Sequence, residues 1–299
     1  MKSLKGIGLL IVANILIMAT LMISGTLIVN FILPMFGIDV RGSFASMNLT
    51  WSLIFGFGGA FISLFMSKWL AKRGMQMQQV TNPSTAKEKI VFETVEALAQ
   101  REGIKMPEVW VYWDDVPNAF ATGPTRNNAM IAVSSGLAMS LSDKELKAVL
   151  AHEMGHVANG DMLATTLLQG LMNTFVYFIA RMISEPVRQR NFWMGFALNI
   201  ALQMILSVLA MIPITWFSRR REFGADAYAA DAVGADAMIS ALQKIEYLSN
   251  QSDAYINAPD EDDTELATMK IYAAHSKLTG LFATHPPIEA RIAALKNRN

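Results

Sequence analysis

The sequence predicts a mainly α-helical integral membrane protein, with about four transmembrane helices joined to an α+β domain that carries a small β-sheet. Three observations lead there. Of its 299 residues 53% are hydrophobic and only 17% are charged, a balance that makes lipid part of the solvent. Four uncharged runs are long enough to cross a bilayer, which takes about 20 apolar residues; they lie between Lys5 and Asp39, Arg41 and Lys68, Asp161 and Arg181, and Arg190 and Arg219. The rest forms two polar blocks in which helical and strand periodicities alternate. With zero formal net charge and no basic stripe among aromatics, there is no reason to expect a nucleic-acid partner. The absence of Cys excludes disulfides, thiolate ligands and a thiol nucleophile.

Taken in order, Lys2 and Lys5 precede the first run as in a secretory signal. Its apolar part, Ile7 to about Leu33, is far longer than a signal core of about 7–15 residues and lacks an A-x-A-like cleavage site, so it reads as a retained anchor. In the second run Gly56, Gly59, Ala60 and Ser63 give the small-xxx-small spacing of packed membrane helices. Residues 6–69 therefore form an N-terminal transmembrane hairpin. The first polar block, 70–161, opens with a helix from about Ser84 to Gln100, with Gly103 past its end. Strand patterns follow at Val109–Trp113, Asn118–Gly123 and Met130–Val133. Pro117 marks the Asn118–Gly123 segment as an edge strand, where a missing amide donor is tolerated. Such an edge aligns an extended peptide through its backbone, making Asn118, Ala119, Phe120 and Ala121 candidate substrate-binding positions; an edge simply capped by a loop is the alternative.

Residues 162–218 read as an apolar hairpin of two helices, the first interrupted by Gln169 and Asn173, so that a buried soluble helix competes there with a span. The second polar block, 219–299, is mostly helical from near Arg221, with a helix over Ala235 to Tyr247 and a solvated acidic loop at Pro259–Asp263. Lys2, Lys5, Lys68, Lys72, Arg73, Arg219, Arg220 and Arg221 fall on one side of the membrane, against Arg41, Arg181, Arg188 and Arg190 on the other. The positive-inside rule then puts both polar blocks in the cytoplasm.

The chemistry is concentrated in His152-Glu153-Met154-Gly155-His156. Residues i and i+4 share a helix face, so both imidazoles reach one metal ion while Glu153 projects beside it. Ser142-Asp143-Lys144-Glu145 is a capping box, Leu146, Val149, Leu150 and Val157 recur at helical spacing, and Asn159-Gly160 supplies a stop. Zinc lowers the pKa of bound water from about 15.7 to about 7, and a carboxylate nearby takes the proton during attack on a carbonyl. The implied reaction is peptide-bond hydrolysis. A catalytic zinc takes three protein ligands and an open position. Asn159 and Met162 stand where HExxHxxGxxH would supply a third His, which excludes that class. Glu222 is the best third candidate, with Asp226 one turn on and placed to hydrogen-bond a ligating His. Its alternative is an exposed partner of Arg219–Arg221, and His275 and His285 are the remaining histidines.

The segments AHEMGHVANGDM (151–162), REFGADA (221–227), NAFATG (118–123) and THPPIEARI (284–292) together resemble the HtpX family of bacterial membrane metalloproteases, relatives of the CAAX prenyl protease. The resemblance covers nearly the whole chain. It implies a gluzincin-like protease domain facing the cytoplasm from a multi-pass inner-membrane protein, with one Zn2+ per chain held by His152, His156 and Glu222 and with Glu153 as general base. It further implies that His285 and Arg291 lie at the site, where a donor or cation stabilises the oxyanion or Arg291 pairs with Asp226 or Glu222. Misfolded or damaged membrane proteins are the substrates it implies. A proteolytically idle membrane chaperone or scaffold with structural zinc is the alternative, and the intact Glu153 speaks against it.

Overall fold

The computed structural model describes residues 19–256 and 285–298. Two compact units interleave along the chain: one takes the residues up to Met66 with Ala164–Ile214, the other Ser67–Leu163 with the residues from Thr215 onward. In the first unit, helix α1 (Ala19–Met35) widens into π geometry over Ile28–Ile32. Helices α2 (Phe44–Gly74), α6 (Asp161–Arg190) and α7 (Phe192–Val233) are long and apolar enough to cross a membrane. Among the described residues that makes three such helices rather than four. Only the later part of the first apolar run is described, as the shorter α1.

Small residues let α2 and α6 approach closely. A Cβ on Gly56 would stand 2.8 Å from the Gly170 carbonyl oxygen, whereas one on Gly59 would meet nothing within 4 Å, so only part of the small-xxx-small stripe is used for packing. Gln169 and Asn173 satisfy each other one turn apart, Nε2 donating to Oδ1 at 3.4 Å, which explains how polar residues are tolerated in that run.

The second unit is built on a four-stranded sheet of β1 (Met77–Gln79), β2 (Glu108–Tyr112), β3 (Ala119–Thr125) and β4 (Asn128–Ser134), in the order β1-β2-β4-β3. β2 and β4 are parallel; the other pairs are antiparallel. β4 is central and buried along almost its whole length, as its near-continuous apolar text requires. β3 is an edge, as Pro117 indicates, and it lies against the HExxH helix. The three-residue β1 and the short α4 (Ser135–Ser140) have no sequence pattern long enough to announce them.

Helix α3 (Ala86–Glu102) runs from a Thr85/Glu88 capping box to Gly103 in the left-handed conformation. Helix α5 (Asp143–Asn159) carries the HExxH motif between the expected signals: the Ser142/Glu145 box at its start and Gly160, φ +70°, at its end. Its Leu146, Leu150, Met154 and Val157 are buried in a core shared with Val91, Val95, Ile131, Val133, Met238 and Leu242. Burial of each such side chain contributes about 1.5–3 kcal/mol, which fixes the face on which the two histidines stand. Helix α7 runs without a break from its apolar part into the polar block, correcting the expectation of a new helix near Arg221. α8 (Ala235–Ile256) and α9 (Ile288–Lys296) complete this unit. The acidic segment Pro259–Asp263 and His275 lie outside the described residues.

Candidate metal centre

Helices α5 and α7 cross where even a methyl group would be tight. A Cβ on Gly155 would stand 3.1 Å from Ala225 Cα and 3.2 Å from Tyr228 Cβ, so the small residue inside HExxH brings the Glu222 turn to the histidines. His152 Nε2 and His156 Nε2 are then 3.3 Å apart. Glu222 Oε1 is 3.3 Å from His156 Nε2 and Glu222 Oε2 is 3.5 Å from His152 Nε2. Ligands about 2.0–2.1 Å from a tetrahedral ion stand roughly 3.3–3.4 Å from one another, so these three residues fit one face of a zinc coordination sphere. Among the described residues this is the one cluster of three or more His, Cys, Asp or Glu side chains that meets the spacing a metal needs.

The other nitrogen of each ring is held by a carboxylate. His152 Nδ1 is 2.9 Å from Asp226 Oδ1, and Arg291 grips the same carboxylate with two hydrogen bonds, Nε to Oδ2 at 2.8 Å and Nη2 to Oδ1 at 2.6 Å. His156 Nδ1 is 2.6 Å from Asp161 Oδ2, to which Arg221 Nη2 approaches within 3.0 Å. A carboxylate at each Nδ1 assigns the proton there and leaves Nε2 as the ligand atom. Asp226 is legible in the sequence because it lies one turn from Glu222, whereas Asp161 and Arg221 are not. The available signal was an Asp directly after the Gly160 stop, one turn past His156.

Two buried glutamates of this centre are driven in opposite directions. Burial pushes the Glu153 carboxyl above its usual range, outweighing the nearby imidazoles. Among the described residues it has no hydrogen-bond or ion-pair partner. Burial also acts to raise Glu222, but the imidazoles of His152, His156 and His285 gathered around it overcome that and hold the carboxyl well below its ordinary value. At Asp226 the same opposition, burial against Arg291 and His152, ends in a lowered pKa.

His285 and Arg291 are both brought to the cluster. His285 Nδ1 lies 2.8 Å from Glu222 Oε2, although neither atom has a well-aligned hydrogen bond among the described residues. Arg291 is buried, with its guanidinium committed to Asp226 and Nη1 3.5 Å from Glu222 Oε2. On the edge strand, Ala119, Phe120 and Ala121 pair with Val133, Ala132 and Ile131 of β4 and, among the described residues, have no strand on their other side. Asn118 precedes them, its backbone tied to Ser134 and its Oδ1 buried with no hydrogen-bond partner among the described residues.

Comparison with known proteins accords with this geometry. The family model for Peptidase family M48 matches residues 85–299. Protease HtpX of Idiomarina loihiensis is 41% identical over 279 residues, covering 91% of this chain and 93% of that protein. Protease HtpX of Aeromonas hydrophila is 43% identical over 285 residues, covering 90% and 93%. A Protease HtpX homolog of Methylacidiphilum infernorum is 41% identical over 273 residues, covering 88% of each. The crystal structure of S. mikatae Ste24p has the same fold, with a TM-score of 0.63 at 18% identity over 95% of this chain and 66% of that one. With helices fit to cross a membrane and a metal-ready cluster on an M48 match of this extent, the chain belongs to peptidase family M48, as a membrane metalloprotease of the HtpX family.

Proposed function

We propose that this chain is a zinc-dependent endopeptidase of a bacterial cytoplasmic membrane, facing the cytoplasm and cutting misfolded or damaged membrane proteins. One Zn2+ is held by His152, His156 and Glu222, and when bound it supplies the Lewis acidity that activates water and polarises the scissile carbonyl. Glu153 takes the proton of the attacking water and passes it to the leaving amine, as a buried carboxylate beside the ligating histidines can. His285, close to Glu222, donates to the oxyanion in this reading, and Arg291 acts through Asp226, keeping His152 in register. The free side of β3 takes the substrate as an added strand, from Asn118 through Ala121, reading backbone rather than sequence. That indifference suits a clientele of unfolded segments.

The observation that carries this reading is Glu153: a buried carboxylate without a partner among the described residues, between two histidines whose Nε2 atoms face each other. A structural zinc site has no use for it. The test is cleavage of an unfolded membrane-protein substrate by detergent-purified protein with zinc, beside the Glu153→Gln variant. We expect the variant to retain its metal and lose activity. Parental cleavage by the variant would remove the general-base assignment, and a parent that binds zinc but cuts nothing would favour the idle scaffold.

A further inference from the structure

Each of the two imidazoles is backed by an acid and an arginine. For His152 these are Asp226 and Arg291, both in segments whose motifs already point to the site. The second set, Asp161 and Arg221, faces His156 in the same way, but the function proposed above does not call on it. Asp161 is buried, and its Oδ2 is 2.6 Å from His156 Nδ1 and 3.0 Å from Arg221 Nη2. A carboxylate in the first turn of α6 would be favourable for the helix dipole alone, but that role needs neither contact. Nor is Arg221 a surface cation: its side chain is 13% exposed and its guanidinium lies 5.2 Å from the Phe217 ring centroid.

Resting on the assignment of His156 as a metal ligand, we propose that Asp161 and Arg221 are positioning residues for the metal centre. Asp161 fixes the His156 ring with Nε2 toward the ion, and Arg221 fixes Asp161. The pair also joins two stretches far apart in the chain. Asp161 is the first residue of α6, and Arg221 precedes the third ligand on α7. One ion pair therefore registers the second and third ligands against each other, so that His156 and Glu222 are presented together. Removing either member leaves the ligands present but lets the ring turn and the two helices slip, which weakens the metal rather than abolishing it.

The test measures Zn2+ affinity by chelator competition on the detergent-purified full chain. The variants are Asp161→Asn, Arg221→Lys, the double variant and His156→Ala, and thermal unfolding is followed with and without zinc. Asp161→Asn is expected to lower affinity about 10–100-fold, the range for a lost partner of a ligating histidine. Arg221→Lys, which keeps the charge but loses the planar fork, should lower it less. The double variant should be no weaker than Asp161→Asn alone, because Arg221 acts through Asp161. The midpoint of the zinc-free protein should change little while its rise on adding zinc shrinks. Parental affinity in both single variants, with loss in His156→Ala, would overturn the proposal and leave the ligand assignment standing. Additive losses in the double variant would overturn the relay through Asp161. Parental affinity in His156→Ala would overturn the ligand assignment itself.

Discussion

Glu222 and Glu153 share a burial that raises any carboxyl, and what separates them is their neighbours: Glu222 has three imidazoles within reach, while Glu153 projects past them. The residue that makes this possible carries no chemistry. Gly155 lets α5 and α7 close to backbone contact, so enlarging it should act on the metal from a distance. Gly155→Ala asks Ala225 and Tyr228 to give by a few tenths of an ångström and should lower activity modestly. Gly155→Leu, which no such adjustment accommodates, should cost metal content as well, by about 1–3 kcal/mol of overpacking; metal analysis of purified variants checks the order. For Asp226→Asn the expected loss of zinc affinity is about 10–100-fold, against a far larger one for Glu222→Ala. The same metal analysis distinguishes them, and full occupancy in Glu222→Ala would move the third ligand elsewhere. At this scale the sequence was legible where partners share a helix: His152 with His156, and Glu222 with Asp226. It was silent on Asp161 with Arg221, because periodicity encodes which face a residue takes and not what waits opposite that face.

Helix α5 was readable from end to end because every one of its signals is local. The Ser142 side chain caps the backbone of Glu145, whose carboxylate accepts in return from the Ser142 amide at 2.9 Å and from the Ser240 hydroxyl at 2.6 Å. Ser142→Ala should therefore destabilise the fold by about 1 kcal/mol, visible as a lower unfolding midpoint with zinc stoichiometry unchanged. The continuation of α7 beyond its apolar part was illegible for the converse reason: Arg219–Arg221 ends the hydrophobic text without ending the helix. Strand β2 offers a pH test away from the metal. Burial acts to raise Glu108, but hydrogen bonds from Lys68, Lys72 and Trp110 bring it from 4.5 down to about 2. A carboxyl lowered on folding stabilises the folded state above its unfolded value and loses that contribution as pH falls toward its folded one. Glu108→Gln should accordingly be less stable than the parent above pH 4.5, on the order of 1–2 kcal/mol after allowance for solvent screening. The two should converge as pH drops toward about 2, as thermal unfolding across that range would show.

Over the whole molecule, hydropathy outlined the helices fit for a bilayer but not how they serve the site, since no apolar run states which polar ends must meet. Our proposed orientation makes a prediction here. A single cysteine at Arg190, the last residue of α6, should react with an impermeant maleimide on intact cells, whereas one at Lys105 should react only after the cells are opened. Because the chain has no native Cys, each signal is unambiguous. Protection of position 190 in an active enzyme would make the hairpin re-entrant. The hairpin also has a temporal meaning. Chains emerge from the ribosome N-terminus first, at about 5–20 residues per second, so the HExxH helix appears some seconds before Glu222, with both apolar helices of the hairpin still to come. A nascent or arrested chain thus has the base and two histidines but lacks the third ligand. It should stay inert toward its neighbours until the hairpin has been placed and α7 returns. Chains truncated after Arg190 should accordingly bind zinc weakly and cut nothing, so that the order of synthesis itself delays activity until the third ligand arrives.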